Sequence, residues 1–507
     1  MPKLQGVVGL SEAEEKLSDT SPRSESEPDI ERASPEKTQS SGDSSTWNWD
    51  EDPSNPYNWP TKWKVQQILM IASAAFTTSV GVSILTPAHT QFMEEFQVSG
   101  TVAIVPLSLY VFALGLGPIV GGPLSETIGR YPVYIGTTLL GSLFTLGVGF
   151  SKTFAGICVL RFLSGFCFAP SLAIAAGTIN ETFKPIKRAI PPVIGSFVVA
   201  RKGWEWTQWT LLFFAIFTMI TILTARETFH PVLKHRRAKE LGLPLPPSQP
   251  LSSKARLFAT VALLRPIQML LTEPIVAFVC LYVACEFATL FCFFAAVPLV
   301  FGGVYGFGLE DSGLVFLAIV VGCLLGVVTV LLCDVFLYRR KAAKLQGRQV
   351  PAEFRLYPAL IGSIGLPIGL FWFGWTAKAS INWASPTVAI MLFAWGNLCV
   401  FVSTTQYIVD TYHGLTVASA MSANSLARYG LAAAFPLFTV QSKQIYDAIH
   451  RYFKLTASLV FTKLDIGWAS SLLGFIAIAL LPVPWVFFLT GKRLRALSKF
   501  EVAEDSG

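Results

Sequence analysis

Charge is scarce in this sequence. Only 14% of its 507 residues are Asp, Glu, Lys or Arg, while 52% are hydrophobic; ordinary soluble domains carry about 25% charged residues. With a mean hydropathy of +0.53, most of the chain needs lipid as its solvent. Cysteine is also sparse, and all eight (Cys158, Cys167, Cys280, Cys285, Cys292, Cys323, Cys333, Cys399) fall inside apolar runs, where a thiol acts as a small hydrophobe. Their spacing gives neither a disulfide framework nor a set of metal ligands. No H-E-x-x-H pair and no G-x-S-x-G elbow occurs, so neither an enzyme nor a cofactor is expected. The net charge of +7 sits in short polar segments between apolar runs rather than on one basic face, which argues against a nucleic-acid partner. The first 63 residues contain no apolar stretch of the signal-peptide kind. Residues 1–45, rich in Ser, Glu, Asp, Lys and Pro, read as a disordered tail.

What the sequence has instead is long apolar runs. A helix needs about 20 such residues to cross ~30 Å of hydrocarbon, and suitable stretches lie near 66–88, 101–122, 132–150, 153–179, 206–224, 274–299, 313–337, 356–376, 384–408, 417–438 and 467–489. A weaker run, Ala189–Val199, stands between the fourth and fifth of these, flanked by Lys187, Arg188, Arg201 and Lys202. As a helix it reaches only about 16 Å, roughly half the core.

Charge placement decides whether that short run counts, because Lys and Arg accumulate in cytoplasmic loops. The basic segments are Lys184–Arg188, the long loop with Arg226, Lys234, Arg236, Arg237, Lys239, Lys254, Arg256 and Arg265, the loop from Arg339 to Arg355, and the tail with Lys492, Arg493, Arg495 and Lys499. All of them share one side only if the short run is a crossing. The predicted fold is therefore an all-α polytopic membrane protein of two six-helix halves with a truncated fifth span. Its parts are a cytoplasmic segment 1–63, a half 64–224, a cytoplasmic loop 225–272, a half 273–490 and a cytoplasmic tail 491–507. Six spans plus six about a central loop is the layout of two repeats facing a midplane site.

Several short motifs punctuate the polar segments. Pro123-Leu124-Ser125-Glu126-Thr127-Ile128-Gly129-Arg130-Tyr131-Pro132 joins the second and third spans. Gly129 permits a tight turn, and Glu126 and Arg130 beside helix ends can pair with each other and with the helix dipoles. The reading is a clasp that holds one state; a merely solvated turn is the plainer alternative. Asp52-Pro53-Ser54-Asn55-Pro56-Tyr57-Asn58-Trp59 precedes the first span, Glu227-Thr228-Phe229-His230-Pro231-Val232-Leu233 with Arg236-Arg237-Ala238-Lys239 follows the sixth, and Arg265-Pro266-Ile267-Gln268-Met269-Leu270 leads into the seventh. On these motifs the chain resembles the fungal twelve-span drug:proton antiporters of the major facilitator superfamily from about residue 47 to its end. Tyr131 departs from that family's loop, where a second Arg stands. The resemblance implies proton-coupled export of an organic small molecule, with the proton gradient in place of any cofactor.

The polar groups inside apolar runs are the candidates for that work. Arg161, in Arg161-Phe162-Leu163-Ser164-Gly165 of the fourth span, costs at least a few kcal/mol at that depth unless it is paired or wetted. The family resemblance implies a part in proton coupling. Glu286 lies in the seventh span amid Tyr282, Phe287, Phe291, Phe293 and Phe294, a second coupling candidate among aromatics able to meet a cation or a flat ring. Pairing with another helix is its alternative. Gln208, Asn397, Asn424 and Arg428, with Tyr282, Phe291 and Phe294, are the substrate-cavity candidates, Asn424 and Arg428 being four apart on one helix face. Packing between helices is the plainer reading of the amides. Polyamine-exporting relatives have a Glu at the place of Ala295, which disfavours a polyamine here. The first span has no carboxylate, so coupling is not placed there.

Two departures from the family stand out. Its Gly-Pro-rich fifth span, the mark of the antiporters, survives only as Pro192-Val193-Ile194-Gly195-Ser196, with roughly fifteen residues missing, the length that restores a ~20-residue span. Ahead of the last span, residues 442–461 form an atypical insert. Either both belong to the protein, or a wrongly excised exon stretch and a retained intron explain them. The expectation is a monomer in the plasma membrane, with the vacuolar membrane as alternative, whose partners are its small-molecule substrate, protons and the bilayer. A nutrient symporter is the rival within transport, although the PESPR-like stretch of sugar porters is replaced here by Arg226-Glu227-Thr228-Phe229-His230-Pro231. A non-transporting receptor or scaffold signalling through residues 1–45 is the rival outside it.

Overall fold

The computed structural model describes residues 47–85, 88–182, 204–242, 264–344, 350–412, 414–452, 466–498 and 500. The chain divides between Asn48 and Trp49, and the helices all belong to the unit from Trp49 to Gly507. The tail 1–45, the short run Ala189–Val199 with Pro192 and Gly195, and positions 453–461 of the insert lie outside the described residues.

Ten described helices are long and apolar enough to cross a membrane, and they fall on ten of the eleven long runs. In the first half these are α1 (Thr61–Ser83), α2 (Gly100–Ile128), α3 (Arg130–Phe150), α4 (Phe154–Thr182) and α5 (Glu205–Leu223). A short polar helix follows, α6 (His230–Glu240). The second half holds α7 (Pro274–Tyr305), α8 (Leu317–Cys333), α9 (Tyr357–Thr376), α10 (Ala384–Thr411) and α11 (Gly414–Tyr452), and its last span is α12 (Ile466–Leu480) continued by α13 (Pro482–Ala496). The run 417–438 lies inside α11, whose 39 residues reach about 58 Å, nearly twice the hydrocarbon core. The insert prolongs this helix to Tyr452 because no Gly or Pro interrupts residues 437–452.

The helices pack as two sets. Helices α1 to α5 contact one another, as do α7 to α13, and α2 against α11 is the main bridge between them. Large apolar side chains remain exposed on the outside, among them Leu140, Phe213, Ile220, Leu325, Leu472 and Leu489, a surface that water would not tolerate and lipid does. Polarity is turned inward. Ser73 and Thr77 of α1 share hydroxyl hydrogen bonds of 2.7 and 2.8 Å with Thr221 and Thr218 of α5, and Thr145 of α3 shares one of 2.7 Å with Ser164 of α4. Such pairs supply helix association in a medium where apolar contact alone does not discriminate helix from lipid. Helices α9 and α10 cross closely, since a Cβ on Gly362 would run into Cys399 and the Gly396 carbonyl, and one on Gly396 into the Gly362 carbonyl.

The motif ahead of the first span folds as a knot onto α6. Asn55 accepts from the Tyr57 amide at 3.0 Å and donates to the Trp49 carbonyl at 3.1 Å, while Asp52 pairs with Arg237 at 3.2 Å. His230 sits edge-on to Trp49 and Tyr57. Two motifs that lie far apart in the sequence, with Asp52 and Arg237 separated by 185 residues, thus form one surface.

Candidate functional site

Arg161 is fully buried in α4. Its Nη2 donates to the carbonyl of Gly81 in α1 at 2.5 Å, and its guanidinium carbon lies 4.3 Å from the ring centre of Tyr110 in α2. Nε and Nη1 are sealed from solvent and have no acceptor. Tyr110 is pinned in turn by donating to the Thr78 carbonyl at 3.2 Å. A Cβ on Gly81 would strike the Tyr110 hydroxyl, so the small residue lets both reach their places. A cation–π contact contributes about 2 kcal/mol when desolvated, less than the several kcal/mol that burying an unpaired ion costs.

The second interior guanidinium, Arg428 of α11, lies on the seam between the halves. Its central carbon is 4.7 Å from the rings of Phe287 and Phe401 and 4.4 Å from that of Tyr429. Nε is sealed without an acceptor, and Oδ1 of Asn424, one turn away, is sealed without a donor. Tyr429 packs in one apolar cluster with Tyr110, Phe168 and Phe291, with Phe287 and Phe294 against it. Gly115 of α2 admits the close crossing, since a Cβ there would press on Tyr429 and the α11 backbone. Phe291 and Phe294 touch at 5.4 Å. The seam therefore gathers Arg161, Arg428, Asn424, Phe291 and Phe294 around Tyr429, which completes the Asn-x-x-x-Arg-Tyr pattern of α11, and around Tyr110 and Phe401, which the sequence does not single out.

Glu286 and Tyr282 face elsewhere. They line a small cavity of about 10 Å³ inside the second half, closed by Leu366 and Leu370 of α9, Phe393 of α10 and Leu473 of α12, with room for a single water. Both carboxylate oxygens and the Tyr282 hydroxyl are sealed from solvent, and the two groups face each other. Gln208 also lies off the seam. Its Nε2 donates to Thr207 at 3.0 Å and its Cβ approaches α3 at Gly149. Asn397 is buried in α10.

Where α2 meets α3, Gly129 has φ +102°, a conformation open to Gly at little cost. Arg130 pairs with Glu181 of α4 at 3.0 Å and bonds Ser125. It does not pair with Glu126, the partner its spacing proposed. Glu126, four residues back on α2, leaves Arg130 to Glu181, which also accepts from the Thr228 hydroxyl at 3.0 Å. Glu227, after the sixth span, caps α3, its carboxylate accepting from the amides of Arg130 (2.9 Å), Tyr131 (3.1 Å), Thr228 (3.0 Å) and Phe229 (2.9 Å). A Cβ on Gly129 would collide with this carboxylate. The second half carries its own ion pairs, Arg355 with Asp410 at 2.7 Å and with Asp334 at 3.5 Å, and Arg495 with Glu353 at 2.5 Å. Nearby, Glu273 accepts from Ser498 at 2.9 Å and from Tyr412 at 3.3 Å. Burial pushes the Tyr412 hydroxyl above its ordinary range, and the neighbouring carboxylate adds to the shift.

Two helical sets around a seam, with cationic groups inside and ion-paired loops at one end, is the anatomy of a secondary transporter. The family model of the Major Facilitator Superfamily matches residues 71–190 and 188–436, and the chain belongs to that superfamily. It is 36% identical over 472 residues to the MFS-type transporter traF of Penicillium crustosum, covering 90% of this chain and 92% of that one. It is 33% identical to Polyamine transporter 4 of Saccharomyces cerevisiae (90% and 73% covered) and 30% identical to the Cycloheximide resistance protein of Candida maltosa (90% and 85%). Among solved structures, the partially occluded inward-open xylose transporter XylE of E. coli superposes with a TM-score of 0.54 at 12% identity, over 84% of this chain and 98% of that one. The chain is thus a multi-pass membrane transporter with the major facilitator fold, and not an enzyme.

Proposed function

We propose that this transporter exports a drug-like or secondary-metabolite organic molecule from the cytoplasm in exchange for protons, by exposing the seam between its halves alternately to the two sides of the plasma membrane. The observation that carries the reading is Arg161, a fully buried guanidinium with one hydrogen bond and one ring for company. An interior charge so poorly compensated is retained for function rather than stability. Glu286 supports it, because a carboxylate sealed in an apolar pocket beside the Tyr282 hydroxyl can gain and lose a proton as its surroundings change. Arg130, Gly129 and Glu126 belong to the cytoplasmic loop that holds one state, and both termini lie on that side.

Everted membrane vesicles carrying the chain test this. An inside-acid gradient is expected to drive accumulation of at least one member of a panel comprising a cationic, a neutral and a carboxylate-bearing aromatic dye. A protonophore abolishes it. Arg161→Ala is expected to lose gradient-driven accumulation while remaining in the membrane fraction. Retained pH-dependent accumulation in that variant overturns the assignment.

A further inference from the structure

Resting on the transport reading, we infer that the cargo carries an anionic group, a carboxylate or phenolate on an aromatic frame, and that Arg428 receives it. Three observations support this. First, the charge inside the seam has one sign. Arg161 and Arg428 are its ionic groups, and no carboxylate stands within ion-pair distance of either among the described residues. Among the described residues of the spans, the buried carboxylate is Glu286, which turns into the second half's own core with Tyr282, Leu366 and Phe393. Residues 286 and 287 are neighbours on α7 but about 100° apart around it. That angle sends Phe287 to Arg428 and Glu286 away from it.

Second, Arg428 is held in a way that leaves its bonding edge unspent. Rings of Phe287, Phe401 and Tyr429 surround the guanidinium, and contact with ring faces uses its charge but not its planar N–H donors. Nε donates to nothing, and no described residue accepts a hydrogen bond from the other two nitrogens. An oxyanion meeting that fork gains charge-assisted, bidentate bonds. Third, the sealed Oδ1 of Asn424 lies one turn away on the same helix face. It is an acceptor without a donor, suited to a hydroxyl of the same cargo. A polyamine brings positive charge to a seam that already holds two cations, and lacks the group that Arg428 wants.

The test uses the purified full chain in detergent and a matched pair of probes, 2-anthracenecarboxylate and its methyl ester, with binding read by energy transfer from tryptophan. The acid is expected to bind about tenfold more tightly than the ester. Arg428→Gln should bring that ratio towards one, and Arg428→Lys, which keeps the charge but not the fork, should leave an intermediate ratio. Spermidine should not compete. Equal affinity for acid and ester, no saturable binding of the acid, displacement by spermidine, or an unchanged ratio in Arg428→Gln each overturns the inference. The wild-type ratio decides the matter by itself if the Gln variant fails to fold. Gradient-driven movement of acid and ester alike would remove the anion site and leave proton-coupled export standing. Preference for the acid without any gradient dependence would do the reverse.

Discussion

The Glu227 carboxylate offers the most direct check on the loop between α2 and α3. In Glu227→Ala four backbone amides lose their common acceptor, two of them, Arg130 and Tyr131, at the first turn of α3. Hydrogen bonds to a charged group are each worth about 1.5–3 kcal/mol, but four on one carboxylate do not add, and donors at the end of a helix can recover water. A better guide is the loss of a helix N-cap, about 1–2 kcal/mol, plus the loss of an anion at the positive end of the helix dipole, about 0.3–1 kcal/mol. The sum, about 1.3–3 kcal/mol, corresponds to a shift of roughly 10- to 150-fold in the local opening equilibrium. Amide hydrogen exchange of the purified protein reads that equilibrium at Arg130 and Tyr131. Protection is expected to fall by that factor in Glu227→Ala and by less in Glu227→Gln, which keeps one acceptor oxygen. Protection within about threefold of wild type in the Ala variant would refute the capping argument.

Glu286→Gln keeps shape and removes the exchangeable charge, so transport should continue but lose its response to the imposed pH gradient; a wild-type pH response would exclude Glu286 as the proton carrier. Deleting residues 1–45 should leave most export intact, whereas loss of function with normal membrane targeting would favour a receptor or scaffold. The short run Ala189–Val199 and the insert 442–461 are checked by sequencing the transcript: an mRNA encoding both as written ends the exon-boundary reading. A chain with the fifth run lengthened to ~20 residues should then transport faster than the chain as written, and equal rates would show that the half-length run is no handicap.

Which residues lie at which depth was legible, and which way they face was not. Ten apolar runs became spanning helices because backbone groups in hydrocarbon must bond within their own segment, so length and hydropathy alone locate them. The direction of a side chain around such a helix is normally read from an apolar stripe against a polar face. Helix α7 is apolar on every side, and nothing in its sequence distinguishes the face carrying Phe287 and Phe291 from the face carrying Glu286 and Tyr282. That is why one group of aromatic and acidic residues in the sequence divides into a seam around Arg428 and a small cavity inside the second half. Gln208 went the same way, onto α3 rather than the seam, and Tyr110 was passed over because a tyrosine in an apolar run carries no signal until Arg161 is seen to rest on it. In the loop between α2 and α3 the ion-pair partners were hidden for a different reason. Arg130 and Glu126 are close in sequence, but the partners that Arg130 takes are 51 and 97 residues away, at the end of α4 and beyond α5. Only the packing of α2, α3 and α4 brings them together. The Glu-Thr pair after the sixth span was visible as a motif before it had a purpose, and its purpose is to close the helix that the Gly129 turn opens. Charge in this protein is rare enough that each pairing is specified by the fold as a whole, and a local reading of the sequence finds the charged residue without finding what it holds.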